Sequence, residues 1–153
     1  MDIDILREDS FKWQNISDLW FIDRLTQLTN LLKDYSFGDA ELSIVLANNK
    51  FVQNLNKEYR GKDQPTNVLS FPADDTNGYI IKGPLGDIVF AHETIMNESD
   101  TESKHFEAHL THLLLHGLLH LLGYDHIEDH EAQEMERIEI EILQKIGIKN
   151  PYL

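Results

Sequence analysis

The segment from His116 to His126 places the strongest constraint on how this chain of 153 residues can fold. Residues four apart on a helix lie one above the other on the same face, about 6 Å apart, so His116 and His120 can point their rings at one place. A third residue on the next turn of the same helix would lie too far along the helix axis for its ring to reach the same place. Gly123 can adopt the left-handed conformation that ends a helix, which allows His126 to swing back toward the pair.

Three imidazoles that meet at one point are a typical binding site for a transition metal ion. Zinc binds histidine nitrogens at about 2.0–2.1 Å, and three protein ligands leave a fourth position for water, as in catalytic zinc sites. Thiolate ligands are excluded because the chain has no cysteine. The sequence therefore predicts one Zn2+ ion per chain, bound by His116, His120 and His126, although other divalent transition metals also bind neutral imidazoles.

The spacing of these ligands, His-x3-His-x2-Gly-x2-His, is that of the metzincin peptidases. Zincins carry a glutamate directly after the first histidine as the general base, and this chain has Gly117 at that position. The departure counts strongly against peptidase chemistry and little against metal binding. A metal-dependent hydrolase is therefore predicted, with a zinc metallopeptidase or amidase as an alternative.

Two further histidines, His109 and His112, continue the same helical face. They are candidates for a second layer that orients the metal ligands, or for contacts with substrate. An equally good interpretation is that they are ordinary buried histidines with satisfied hydrogen bonds. The remaining histidines show no such pattern and are expected to be structural or at the surface: His92, His105 and His130.

The hydrophobic pattern predicts one domain over residues 1–153, because no repeat, low-complexity tract or linker divides the chain. The fold class indicated is α/β (α+β), a small mixed sheet of about four strands packed with about five helices, with the metal site on a helix that ends at Gly123. Alternating or bracketed apolar runs predict strands at Asp2–Leu6, around Leu42–Leu46, between Pro65 and Pro72, and at Leu85–Ala91. Helical spacing predicts helices after Ser17, from Asn48 or Asn49 to Gly61, from about Ser103 to Leu122, and from about Asp129 to Ile146. Turn-forming residues predict a loop from Asp74 to Pro84.

The net charge of −14 argues against nonspecific binding to nucleic acid. A local basic cluster nevertheless falls within thirteen residues, and it is either a solvated helix face or a local binding site: Lys50, Lys57, Arg60 and Lys62. No apolar run reaches the roughly 18 residues needed to cross a membrane, and the acidic start lacks the pattern of a signal peptide. A cytoplasmic protein is therefore expected.

Three segments closely resemble the bacterial YbeY family. They are residues 59–72 (YRGKDQPTNVLSFP), residues 85–89 (LGDIV) and residues 116–126 (HGLLHLLGYDH), and residues 127–132 continue the last of them. The resemblance extends over roughly residues 40–153. It implies a metal-dependent, single-strand-specific endoribonuclease that acts in ribosomal RNA maturation, notably at the 3′ end of 16S rRNA, and in ribosome quality control.

The resemblance also implies roles for particular residues and partners. The family's metal ligands correspond to His116, His120 and His126, and its functionally important arginine corresponds to Arg60. The implied partners are single-stranded RNA or rRNA, and the ribosome or small-subunit proteins, with neither membrane nor DNA expected. A second alternative, besides the metallopeptidase or amidase, is a non-enzymatic ribosome-assembly factor that uses the metal only for folding.

The resemblance and the metal chemistry together suggest how RNA would be cleaved. Arg60 can stabilise the extra negative charge that forms on the phosphate oxygens, although alone it reads as a partner for a surface carboxylate. Lys57 and Lys62 can help hold the strand. Asp87 and Asp125 are candidates for a general base, for an acceptor behind the metal ligands, or for turn caps. The attacking group stays open between a metal-activated water and the RNA 2′-hydroxyl.

Overall fold

The computed structural model describes residues 1–73 and 78–153 of the chain. These residues form four strands and five helices, which confirms the predicted α+β fold with a small mixed sheet. The strands are β1 (Asp2–Arg7), β2 (Ser36–Ala47), β3 (Val68–Pro72) and β4 (Ile80–Ala91). The helices are α1 (Asp18–Leu31), α2 (Asn49–Arg60), α3 (His92–Thr101), α4 (Phe106–Leu121) and α5 (Asp129–Lys145).

The sheet has the strand order β1-β2-β4-β3. Strands β1, β2 and β4 run parallel, and β3 pairs antiparallel with β4 at the edge. The edge position suits Pro72, because a proline has no N–H to donate to a further strand. The two prolines were expected to bracket a strand, and β3 lies between Pro65 and the end of Pro72 as predicted.

The two faces of the sheet are covered by different helices. Ile88 of β4 belongs to the main core, together with apolar residues of α1, α4 and α5. Its neighbour Val89 belongs to a second, smaller core with Val52 of α2. Successive residues of a strand point to opposite faces, so α4 and α2 lie on opposite sides of the sheet.

The first two helices begin where the sequence predicts. The side chain of Ser17 accepts a hydrogen bond from the backbone N–H of Trp20, and that of Asn48 accepts one from Phe51. These bonds satisfy N–H groups that have no partner within the helix. Gly61 ends α2 with a positive φ of 69°. None of the helices in the described ranges is both long enough and apolar enough to span a lipid bilayer.

Three expectations about the elements need correction. The loop predicted for Asp74–Pro84 is wrong over its last residues, because β4 begins at Ile80 and pairs there with β2; residues 74–77 lie outside the described ranges. No helix was predicted directly after Leu85–Ala91, where α3 lies. The helix expected from about Ser103 begins at Phe106, since Ser103 has a φ of 54° that is incompatible with it.

Gly86 brings the edge of the sheet close to the end of α4. It has a φ of 144°, and β4 carries an irregularity there, where Leu42 of β2 pairs with Gly86. A Cβ atom on this residue would lie 2.4 Å from the carbonyl oxygen of Phe71 and 2.8 Å from Cδ2 of Leu121. The glycine therefore allows the last turn of α4, which carries the predicted metal ligand His120, to pack directly on β3 and β4.

Candidate metal centre

The histidines His116, His120 and His126 converge at one end of α4. Each offers one ring nitrogen, and these nitrogens all lie within 4.8 Å of one another. The ring centroids of His116 and His120 are 4.6 Å apart, and that of His126 lies 5.7 Å and 4.9 Å from them. Gly123, with a φ of 102°, turns the chain after α4 so that His126 returns from the following loop. The structure therefore brings together the three residues that the sequence singles out.

The polar groups beside Nδ1 of His116 and Nδ1 of His120 determine which ring nitrogens are free to bind a metal ion. Nδ1 of His120 lies 3.0 Å from the carbonyl oxygen of Tyr124, and Nδ1 of His116 lies 3.4 Å from a carboxylate oxygen of Glu139. Both partners only accept hydrogen bonds, so each Nδ1 carries the proton of its neutral ring. Both Nε2 atoms then present lone pairs, and they face each other at 3.1 Å.

Two lone pairs at this distance repel each other unless a cation lies beside them. Two ligand nitrogens bound at about 2.0–2.1 Å to a tetrahedral ion lie about 3.3 Å apart, close to the observed separation. The pKa of His120 agrees with this role, because burial, then repulsion by His116 and His126, lowers it to about 4. A ring that stays neutral keeps its lone pair available for a metal ion. The donor set therefore fits a transition metal ion.

The sequence reasoning missed Glu139, a buried carboxylate on α5 beside the centre. Glu139 is only 1% exposed to solvent. Burial alone would raise the pKa of Glu139, but hydrogen bonds from His112 and His116 outweigh it and hold the pKa at about 2. The sequence does contain a signal for this residue, because Glu139 lies on the apolar stripe of α5, four residues after Met135 and three before Ile142. A single acidic residue on such a stripe indicates a buried partner.

The two other histidines of the α4 face differ in what they contact. His109 is buried, and its Nε2 lies 2.9 Å from Glu98 of α3, away from the three converging rings. Its Nδ1 is buried and has no hydrogen-bond partner among the described residues, so the interpretation as a buried histidine with satisfied hydrogen bonds holds for one of its two ring nitrogens. His112 is bonded at 2.6 Å to Glu139, which in turn faces His116. His112 therefore reaches the centre through that carboxylate.

Gly117 occupies the place where zincin peptidases have their catalytic glutamate. A Cβ atom here would lie 3.0 Å from Cγ2 of Ile88 and 3.1 Å from Oγ of Ser70. The residue is buried in the contact between α4 and the sheet. A larger side chain would require these neighbours to shift by a few tenths of an ångström, and glycine itself has no carboxylate, so this residue cannot act as the base of a peptidase.

The two aspartates considered as a general base, Asp125 and Asp87, lie in different parts of the structure. Asp125 follows the turn at Gly123, and its carboxylate accepts a hydrogen bond of 2.7 Å from the backbone N–H of His126, which is the turn-capping role considered for it. Asp87 is exposed on β4, and its neighbour Ile88 points toward Gly117 of α4. Asp87 therefore lies on the opposite face of the sheet, and the suggestion that it acts as a base beside the histidines is wrong.

Three residues of the basic cluster lie at the end of α2, and the fourth, Lys50, lies at its start. Arg60 is the last residue of α2 and is exposed, and it has no hydrogen-bond or ion-pair partner among residues 1–73 and 78–153. The other arginines do have partners: Arg7 pairs with Asp18, Arg24 with Gln27, and Arg137 with Glu134 and Glu141. Lys57 lies 3.9 Å from Asp63, and Lys62 is exposed in the segment that follows. The salt-bridge interpretation of Arg60 is therefore not realised in the described part of the chain.

The fold and this centre define a class of protein: a small α+β protein in which three histidines, from one helix and the loop after it, converge so that they could hold one metal ion. A sequence model described as endoribonuclease YbeY matches residues 8–147. The chain belongs to the endoribonuclease YbeY family, a family of hydrolases that act on RNA. The predicted family is thereby confirmed.

Known relatives agree over most of the chain. The endoribonuclease YbeY of Sinorhizobium medicae is 55% identical over 114 residues, which cover 74% of this chain and 68% of that protein. That of Azorhizobium caulinodans is 43% identical over 157 residues, which cover 99% and 96%. The solution structure of TM1509 from Thermotoga maritima is similar with a TM-score of 0.62 and 27% identity, and the match covers 94% of this chain and 88% of that one. Neither the peptidase nor the non-enzymatic alternative is favoured by these matches.

Proposed function

We propose that this protein is a zinc-dependent endoribonuclease that cleaves single-stranded ribosomal RNA, in the maturation of the 16S rRNA 3′ end and in ribosome quality control. The observation that carries the proposal is the pair of Nε2 lone pairs of His116 and His120, 3.1 Å apart, with the ring of His126 beside them. Three neutral imidazoles without a thiolate are a ligand set typical of catalytic zinc. RNA as the substrate comes from the family to which the chain belongs.

The three histidines would hold the ion from two successive turns of α4 and from the loop after Gly123. A zinc ion in such a site supplies Lewis acidity toward a phosphoryl oxygen and activates water near neutral pH. The side chain of His126 is exposed, so the open side of the centre faces solvent, where a strand of RNA can approach. The carbonyl of Tyr124 keeps the proton of His120 on Nδ1 and thereby directs Nε2 to the ion.

Arg60, the last residue of α2, would reach past the edge strand β3, on whose Phe71 its neighbour Tyr59 packs at 5.4 Å between ring centroids, and bind the phosphate at which the RNA is cut. A guanidinium group matches the geometry of phosphate oxygens and stays charged at all relevant pH values. Its lack of a carboxylate partner in the described ranges supports this role, because a paired arginine would have to give up that contact first. Lys57 and Lys62 would add positive charge along the neighbouring backbone of the strand.

A partner on the ribosome would bring the substrate to this acidic protein. The net charge of −14 disfavours binding to RNA in general, and the basic residues near Arg60 form only a short patch. We therefore expect the small subunit or its proteins to present the single-stranded end. Binding of the free protein to arbitrary duplex RNA should be weak at physiological salt in a filter-binding assay, and tight binding would contradict this part of the proposal.

The catalytic role of Arg60 can be tested with an end-labelled RNA that carries a single-stranded 3′ extension of 16S rRNA. The variant Arg60→Ala should cleave it roughly a hundredfold more slowly than wild type, since loss of one group that stabilises transition-state charge has about that effect. Its zinc content should be unchanged. A duplex of the same sequence should not be cut by either protein.

Lys50→Ala is the matched control, because it removes one positive charge from the same helix at its other end. It should cleave the RNA at a rate near that of wild type. Equal cleavage by Arg60→Ala and wild type would overturn the role of Arg60. Absence of any RNA cleavage by the zinc-loaded wild type would overturn the proposed activity itself.

A further inference from the structure

The carboxylate of Glu139 is the strongest feature of the molecule that the proposed function leaves without a role. It lies on α5 in the main core, and 1% of the residue is exposed. Removing an ionised carboxylate from water is costly unless several partners compensate for the lost hydration. The contacts of this carboxylate with its partners therefore indicate what it does in the folded protein.

Three side chains surround this carboxylate. One oxygen, Oε2, lies 2.6 Å from Nε2 of His112 and 3.4 Å from Nδ1 of His116. The other oxygen, Oε1, accepts a hydrogen bond of 2.8 Å from the hydroxyl of Tyr152. The carboxylate is therefore fixed on both sides, and it faces a proposed metal ligand from the side opposite to the ion.

The group is not a second metal site, although His112, His116 and Glu139 lie close enough together to be considered as one. Two ligand atoms that bind the same ion at about 2.0–2.1 Å are separated by about 3.3 Å in a tetrahedral site. The separation of 2.6 Å between His112 and Glu139 is that of a strong hydrogen bond and leaves no room for an ion between them.

We propose that Glu139 is a positioning residue for the metal centre. Its carboxylate keeps the proton of His116 on Nδ1 and directs Nε2 to the ion, while His112 and Tyr152 hold the carboxylate in place. The inference rests on the proposed function, in which His116 is a zinc ligand. It adds two elements to the centre, α5 and the segment that carries Tyr152, which contribute no ligand themselves.

The arrangement has a measurable consequence for metal affinity. Carboxylates behind a metal-binding histidine fix its orientation and increase its basicity, and their loss typically weakens metal binding by about 10- to 100-fold. The variant Glu139→Gln should therefore raise the zinc dissociation constant by about that factor. Tyr152→Phe, which removes one of the two anchors of the carboxylate, should raise it by a smaller factor.

The experiment measures zinc dissociation constants of the full-length protein by competition with a chromophoric chelator. Glu98→Gln is the matched control, because Glu98 also bonds a histidine of α4, His109, which is not a proposed ligand. Its zinc dissociation constant should equal that of wild type. The 15N NMR spectrum of the zinc-loaded wild type should show a protonated Nδ1 on His116, with zinc at Nε2.

Several results would overturn the proposal. One is a zinc dissociation constant of Glu139→Gln within twofold of wild type, and another is zinc bound through Nδ1 of His116. Should Glu139→Gln fail to fold, Tyr152→Phe and the NMR spectrum decide: an unchanged dissociation constant in Tyr152→Phe overturns the role, and a raised one with a protonated Nδ1 supports it. Failure of the proposed function is distinguishable, since the wild type would then bind no zinc or leave RNA uncut.

Discussion

At the scale of single residues, the histidines of this chain are distinguished by what their ring nitrogens and faces contact. His116 and His120 present unprotonated nitrogens to each other, and His109 pairs with Glu98. The ring of His92 instead packs edge-on against Trp13, with centroids 5.0 Å apart, and also contacts Phe106. Helical spacing in the sequence identifies the histidines that share one face of α4. Only the groups that their ring nitrogens contact distinguish a candidate metal ligand from a histidine of the core.

The pH dependence of stability should reflect His92. Burial first, and then the charge of Lys12, lower its pKa, against smaller opposing effects of Glu93 and Asp9. The unfolded chain, in which histidine has a pKa of about 6.5, takes up this proton at a higher pH than the folded protein does. The unfolded state then binds more protons, so the free energy of unfolding falls as the pH drops below about 6.5.

The variant His92→Phe keeps an aromatic ring beside Trp13 and removes this titration. Urea unfolding of metal-free protein at pH 7 and pH 5 should show a smaller loss of unfolding free energy for His92→Phe than for wild type. The control His130→Gln changes an exposed histidine and should keep the pH dependence of wild type. If His92→Phe lost as much free energy as wild type, the account of His92 would be wrong.

At the scale of elements, two glycines set how closely α4 approaches the sheet. Gly117 contacts Ile88 and Ser70 across the interface, and Gly86 accommodates Phe71 and Leu121 at its end. The three histidines lie on this helix or directly after it, so its seating on the sheet determines where they meet. The edge strand β3, which lies within the family-like segment 59–72, is therefore part of the support of the centre.

Gly86→Ala should be among the most destabilising single substitutions in the chain. The new methyl group would overlap the carbonyl of Phe71 at 2.4 Å, at a φ of 144° that alanine rarely adopts. We expect a loss of about 3 kcal/mol or more in the free energy of unfolding, measured by urea denaturation.

Gly83→Ala on the same strand is the matched control. Gly83 also has a positive φ, of 73°, but nothing lies within 4 Å of its Cβ position. Only backbone strain remains there, at a cost of about 1–2 kcal/mol. Equal losses in the two variants would show that the close contact at Gly86 does not determine stability.

At the scale of the whole molecule, helices and strands with a strong local pattern of residues could be predicted from the sequence. Elements that depend on pairing with a distant strand could not. The alternating strand Asp2–Arg7 and the capped helices α1 and α2 follow from residue order alone. The start of β4 carries Gly83 and Pro84, which are typical of turns, yet it is a strand because β2 pairs with it. Helix α3 buries only Ile95 and Ser99, so its apolar pattern was too weak to detect.

The centre was predictable in part for the same reason. Two histidines four apart, followed by a glycine and a third histidine, describe a local geometry that the sequence contains. Glu139 and Tyr152 come from distant parts of the chain, and only tertiary packing brings them to His112. Likewise, the face of the sheet to which Asp87 points depends on the register of β4, which the sequence does not specify.

If three imidazoles hold one metal ion, the metal content of the purified protein must depend on each of the three histidines. Untagged protein purified without chelators should contain one zinc ion per chain by inductively coupled plasma mass spectrometry. His126→Ala should contain almost none, while His130→Ala, which changes a nearby exposed histidine, should retain the full amount. A wild-type protein without stoichiometric metal, or a His126→Ala protein that retains it, would contradict the binding of one ion by these three imidazoles.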